Sequence, residues 1–184
     1  MTAPPGGTSR AGRGRSLLTS ALSTEPSVLG TDIAAVSARI VLVWIFVYYG
    51  AGKLFGAFDG AGIHQTSLFM ASTAHLHPGG LFAVTAGVIE FGGALALALG
   101  LASRLAALAL FADQVIAMVT VTWAHGLSSS PATGYELNLA LAALALVIVG
   151  LGAGRPSLDA IIGRRDRGRR TDRRRSFASR SGDS

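Results

Sequence analysis

The sequence contains no cysteine. That excludes a dithiol relay, thiolate ligation of an iron–sulfur cluster and a thiolate-ligated haem within this chain. Lysine is nearly missing as well: Lys53 stands alone against fifteen arginines. Such a ratio is the coding bias of a high-GC bacterial genome and carries no mechanism. Charged residues make up only 14% of the 184 residues, while 50% are apolar and the mean hydropathy is +0.49. The apolar residues are gathered into blocks instead of alternating with polar ones, which argues against an ordinary soluble domain.

Four blocks stand out, at about 33–56, 81–101, 104–125 and 134–154. Each approaches the ~20 residues that a hydrocarbon core ~30 Å thick requires of a helix. The expected fold is all-α, a polytopic membrane four-helix bundle. With both termini cytoplasmic, all fifteen arginines fall on the inner side or near it: Arg10, Arg13, Arg15, Arg39, Arg104 and the ten from Arg155 onward. Lys53 alone lies towards the outside. This is the positive-inside asymmetry, and it places the chain in the bacterial cytoplasmic membrane with an even number of spans.

Three regions follow. Residues 1–31 have basic positions but an interrupted apolar run at Leu17, Leu18 and Leu22, which reads as a disordered cytoplasmic tail and not as a cleaved signal. Residues 32–163 form the membrane domain. Residues 164–184 form a second disordered tail with nine arginines between Arg164 and Arg180. That tail is expected to lie on anionic lipid. Phe177 is its one aromatic residue, so no nucleic-acid partner is expected.

The chemistry-bearing residues sort by depth. Glu90 and Asp113 sit mid-block on either side of a turn near Ala102 and lie level in an antiparallel hairpin. A lone carboxylate at mid-bilayer costs roughly 2.5–3.5 kcal/mol, so two at one level are paired, protonated or functional. Carboxylates in contact cannot both ionise cheaply, and a pair of this kind suits proton transfer or donation to a quinone carbonyl. Glu90 and Asp113 are therefore the candidate catalytic pair. Gln114 shares their level.

Towards the outside lie Lys53, His125, Glu136 and Asn138; towards the inside lie Arg39 and Arg104. At ~1.5 Å per residue Arg39 is about 9 Å and Asp113 about 15 Å from the inner boundary, which makes Arg39 the expected counter-ion of the acidic pair. Lys53 with Glu136 is the expected outer ion pair. Together these residues describe a polar seam from one surface to the other, with Arg39, Lys53, His125, Glu136 and Asn138 as its candidate cofactor-binding groups. The bland reading is that the ion pairs only fix helix register.

Small residues flank the seam: Ala83, Ala86, Gly87, Gly93 and Ala94 around Glu90; Ala106, Ala109, Ala117 and Thr120 around Asp113; Gly134, Ala142 and Ala145 around Asn138. Such faces let membrane helices approach closely. The loop 57–80 is long enough for a short interfacial helix over 63–74 that caps the outer end. Its His64, His75 and His77 match no metal-site spacing, so no metal is expected. A six-coordinate haem would need two facing histidines, and only His125 approaches that position.

Several segments, taken in order, carry a resemblance: Arg39 with Gly50-Ala-Gly-Lys53-Leu54, Glu90-Phe-Gly-Gly with Gly100-Leu-Ala-Ser-Arg104-Leu-Ala-Ala, Gly134-Tyr-Glu136-Leu-Asn138-Leu, and Gly152-Ala-Gly154-Arg155-Pro-Ser157-Leu158-Asp159. The set, over about 33–163, resembles the DoxX family of small bacterial membrane proteins. The resemblance implies a four-helix membrane protein associated with quinol oxidase and thiosulfate:quinone oxidoreduction. Its residue-level implication reaches Arg39, Lys53, Glu90, Arg104, Glu136 and Asp159. Asp113 lies outside the family pattern and rests on depth alone.

The function expected is a redox-associated membrane subunit whose seam binds a quinone head group or conducts protons beside a partner carrying the redox cofactor. The alternatives are an assembly scaffold that recruits enzymes through the arginine-rich tail, and a proton or small-molecule permease.

Overall fold

A computed structural model describes residues 27–128, 134–155 and 157–159. Of the tail expected at 1–31, residues 1–26 lie outside these residues, as does the whole tail expected at 164–184 with its lipid- or partner-binding role. The described residues form five helices: α1 (Val28–Phe55), α2 (Gly62–Ser72), α3 (Gly79–Leu99), α4 (Ser103–Ala117) and α5 (Glu136–Leu151). α4 continues through a π-helical turn at Met118–Thr122 and a 3₁₀ turn at Trp123–His125.

Three of these, Val28–Phe55, Gly79–Leu99 and Ser103–His125, are long and apolar enough to cross a membrane. α5 is apolar but has 16 residues, about 24 Å at 1.5 Å per residue. The expectation of an all-α membrane bundle holds.

The first helix starts earlier than its apolar block, because Ser27 caps it: the Ser27 Oγ accepts from the Gly30 amide at 3.0 Å. Residues 28–31, assigned to the tail from composition, are helical.

The four long helices close a ring in which α1 packs on α3, α3 on α4, α4 on α5 and α5 on α1. α2 lies across α3 and α1 at the far end of the ring, as the long loop led us to expect. We call this the cap end. The opposite, terminal end carries Ser27, the α3–α4 turn and residues 152–155 and 157–159.

Two glycines set the helix spacing and the turn. A Cβ on Gly50 of α1 would stand 2.5 Å from the Phe91 backbone nitrogen of α3, so the two helices touch backbone to backbone there. Gly100 ends α3 in the left-handed conformation with φ 65°. Beside it, the Asp159 carboxylate accepts from the Ala102 amide, the Ser103 amide and the Ser103 hydroxyl at 2.8–2.9 Å, and the Asp159 amide donates to the Gly100 carbonyl at 2.9 Å. A side chain 56 residues downstream thus supplies the N-terminal cap that α4 lacks locally.

The core is unevenly distributed. Leu42 and Phe46 of α1, Leu97 of α3, Leu110 of α4 and Ile148 of α5 are fully buried against one another's helices. All five lie between the acidic pair and the terminal end. The expected seam from surface to surface is therefore interrupted: this apolar layer closes the ring on one side, and the polar groups of the interior open only towards the cap end.

Two outcomes test this packing. Gly50→Ala should lower stability in detergent by about 1–3 kcal/mol, the usual cost of overpacking. Gly92→Ala on the open side of α3, where a Cβ meets nothing within 4 Å, should be neutral or stabilising by up to ~1 kcal/mol. Thermal unfolding of the two variants compares them directly.

Asp159 gives a pH signature. Partial burial pushes its carboxyl up, but the Ser103 amide and hydroxyl, the Ala102 amide and the Arg39 charge outweigh that and hold it below the usual carboxylate range. A group depressed on folding stabilises above its unfolded value and loses that contribution as pH falls through its folded value. Asp159→Ala should cost about 1 kcal/mol at neutral pH, and the difference from the parent should vanish as the pH is taken below the carboxylate range.

Candidate functional site

The interior polar groups form one connected network across all four ring helices. Lys53, near the cap end of α1, reaches back into the ring and donates to Glu90 Oε1 of α3 at 2.5 Å. The Glu90 side chain is 4% exposed and the Lys53 side chain 28%, so the ammonium spans from the interior to a wetter space. Asp113 of α4 is close enough to Glu90 for the two carboxyls to interact electrostatically. The Gln114 amide donates to Asp113 Oδ2 at 3.0 Å, Asn138 of α5 donates to Gln114 Oε1 at 2.9 Å, and the Thr122 hydroxyl donates to Asn138 Oδ1 at 3.1 Å.

One atom in this network is conspicuous. Glu90 Oε2 is buried and meets no fixed donor. Buried oxygens in native proteins are nearly always satisfied. The acidic group facing it from α4 is Asp113. The two acids are close, as their shared depth predicts.

The partners differ from those expected. Arg39 is not the counter-ion of the pair: its guanidinium donates to the Ala98 carbonyl at 2.7 Å and the Ala153 carbonyl at 3.2 Å. These carbonyls lie at the C-terminal end of α3 and beyond the end of α5, where helix geometry leaves acceptors without intrahelical donors. Arg104 does the same for Gly150 at 3.3 Å. Lys53 pairs with Glu90 and not with Glu136, which is exposed at the start of α5.

The inward stripe of α4 runs through Ser103, Ala107, Leu110 and Gln114, one residue off the expected Ala106–Ala109–Asp113 line. Asp113 accordingly sits half-buried at the α3–α4 contact, while Gln114 points into the ring. The small faces of α3 and α5 are as expected, with Ala83, Gly87, Ala94, Ala142 and Ala145 buried.

Above the network, under α2, is a cavity of about 530 Å³, within the ~300–1,000 Å³ typical of small-molecule sites. Its floor is polar: Lys53, Asn138 and Thr122. Its walls are largely aromatic and apolar, with Tyr48, Tyr49, Phe58, Phe69 and Met70. The π-helical turn at Met118–Thr122 presents Val121 and Thr122 to it; such turns are rare and frequent at functional sites. Sequence periodicity carried no sign of this turn.

Of the candidate binding groups, Lys53 and Asn138 line the cavity and Arg39 lies at the other end of the molecule. His125 and Glu136 are exposed at the cap end and are not among its lining residues. His64, His75 and His77 are exposed on or after α2.

Residues 34–123 match the family model for DoxX. The chain belongs to the DoxX family. The match covers α1 to the π turn, so this DoxX protein carries Lys53, Glu90, Asp113 and Gln114 inside the matched region and Asn138 and Asp159 beyond it. Neither a curated protein nor a solved structure matches the chain.

The Lys53–Glu90 pair makes a stability prediction. Removing one member of a buried pair strands the other charge, at roughly 3–5 kcal/mol, whereas replacing both is often near neutral. Lys53→Met should therefore destabilise this DoxX protein strongly, Glu90→Gln should destabilise it too, and Lys53→Met/Glu90→Gln should recover most of the loss. Unfolding midpoints of the three variants decide it; a double variant no better than the worse single one would show that the pair does not act as a unit.

Proposed function

We propose that this chain is a redox-associated subunit of the bacterial cytoplasmic membrane that binds a quinone or quinol head group in the cavity under α2 and exchanges a proton with it. The observation that carries this reading is the double position of Lys53: the residue whose ammonium bonds Glu90 at 2.5 Å also lines the cavity, as does Asn138.

An ammonium has three donor hydrogens and the Asn138 amide has two, of which one is given to Gln114. Donors thus remain for a carbonyl oxygen on the cavity floor, and the rings of Tyr49 and Phe69 suit a flat head group. Reduction of a quinone takes two electrons and two protons. The electrons are assigned to a partner redox protein; this chain supplies the proton for the oxygen on Lys53, and the other oxygen takes its proton from water. Lys53 holds the oxygen and gives up a proton to it, and the proton held between Glu90 and Asp113 replaces it through the Lys53–Glu90 bond. The apolar layer at Leu42, Phe46, Leu97, Leu110 and Ile148 keeps this exchange on the cap side. That favours a one-sided binding site over a permease.

The test uses the protein purified into lipid nanodiscs and the tail-free probe 2,3-dimethoxy-5-methyl-1,4-benzoquinone. Loss of one charge-assisted hydrogen bond costs about 1.5–3 kcal/mol, so Lys53→Met/Glu90→Gln should bind the probe at least ~10-fold more weakly. Asn138→Leu should weaken it by a smaller factor. Parent-like affinity in both folded variants would remove the proposed site.

A further inference from the structure

The cavity under α2 shares a wall with a second, larger space. Tyr48 and Phe58 line both, and their rings stack with centroids 5.3 Å apart and planes 18° from parallel. Beyond them a groove of about 790 Å³ runs along the lipid-facing side of α1, bounded by Ile40, Val43, Trp44, Val47 and Ala98. It extends from Val36 near the terminal end to Tyr48 near the cap end, which is about 16–18 Å of helix at 1.5 Å per residue. Trp44, 79% exposed, forms its outer rim. Apart from Arg39 at the terminal end and Tyr48 at the cap end, the lining is entirely apolar.

The two spaces are chemically complementary halves of one shape. One is short, polar-floored and covered by α2; the other is long, narrow and apolar. In a bilayer an apolar groove gains little by being filled with any one apolar chain, because lipid tails solvate it equally well. What selects an occupant is the polar space at its end. Only a molecule that places an oxygen-bearing head on Lys53 and Asn138 and carries a single apolar chain fills both.

We infer that the α1 groove seats the alkyl or prenyl tail of the ligand whose head occupies the cavity, and that the tail leaves the cavity past the exposed edge of the Tyr48–Phe58 stack. This rests on the quinone reading above and adds the class of ligand: a long-tailed lipid quinone held at both ends, not a water-soluble one. Tyr48 and Phe58 are 49% and 57% exposed, so the edge is open to a chain entering from the lipid. The tail then lies with its far end towards Val36, away from the cap.

The test is photolabelling in nanodiscs with the same dimethoxy-methyl-benzoquinone head on a decyl chain that ends in a diazirine. Adducts mapped by mass spectrometry should concentrate on residues 36–47 and fall at least tenfold when excess tail-free quinone is added, because the competitor meets the probe only at the head. Adducts spread over the lipid-facing sides of α3, α4 and α5, or α1 adducts that the competitor leaves unchanged, indicate ordinary annular lipid and overturn the inference. If the tail-free quinone still binds in that case, the head site stands alone. If the tail-free quinone fails to bind the parent protein, both readings fall. A Trp44→Cys chain provides its own control, since the sequence has no other thiol. Efficient disulfide-linked dimers of it in the membrane would assign the groove to a second copy, against the proposal.

Discussion

The bond between Lys53 and Glu90 is the constraint on which the rest of the bundle depends. A glutamate whose side chain is 4% exposed within a membrane bundle has either to be neutral or to meet a cation, and the chain supplies one lysine. For the ammonium to reach it, α1 must lie against α3 at backbone distance, which Gly50 permits where it touches Phe91. Asp113 then shares the level of Glu90, Gln114 satisfies Asp113, Asn138 satisfies Gln114, and Thr122 satisfies Asn138. Each link fixes the rotation of one more helix. In lipid, where burial of apolar surface does not order helices, a chain of obligatory hydrogen bonds is what specifies register.

That network occupies only half of the molecule. On the terminal side the ring is filled by Leu42, Phe46, Leu97, Leu110 and Ile148, and beyond them Arg39, Arg104 and Asp159 tie the helix ends and the α3–α4 turn together. The two halves do different work. The terminal half is dry at its centre and latched at its surface, which makes it a rigid base. The cap half holds the cavity, the π turn and the short helix α2, and these concentrate the polar and aromatic groups where a ligand can reach them. Five large apolar side chains close the interior on the terminal side.

Much of this arrangement was legible in the sequence because hydropathy and depth obey simple geometry. The four apolar blocks, the cap helix in the 57–80 loop and the shared level of Glu90 and Asp113 all follow from block length and from a turn near Ala102. The partners were not legible, for a physical reason. Matching charge to charge by depth gave Arg39 to the acids and Lys53 to Glu136, but a buried guanidinium is equally well served by orphan carbonyls at helix ends. Ala98 and Ala153 stand closer to Arg39 than any carboxylate of the network could. Lys53, with a long flexible stem, then reaches inward instead of outward. Nor did side-chain periodicity reveal the π turn at Met118–Thr122. The extent of α4's offset, with Gln114 and not Asp113 pointing into the ring, likewise depends on contacts with α3 and α5 that no single helix encodes.

The arrangement also fixes a charge count. Two carboxyls and one ammonium in a nearly dry space carry a net negative charge if all three are ionised, and no second cation of the described network stands beside them. One proton between Glu90 and Asp113 removes that charge and at the same time gives Glu90 Oε2 the donor it otherwise lacks. The same proton therefore answers two separate costs, the electrostatic one and the unsatisfied oxygen. On the proposed reading it exchanges past Lys53 and the cavity floor, since Leu42, Phe46, Leu97, Leu110 and Ile148 fill the terminal side. On the same reading a ligand oxygen on Lys53 lies in that path, which couples binding at the cavity to the protonation of the pair.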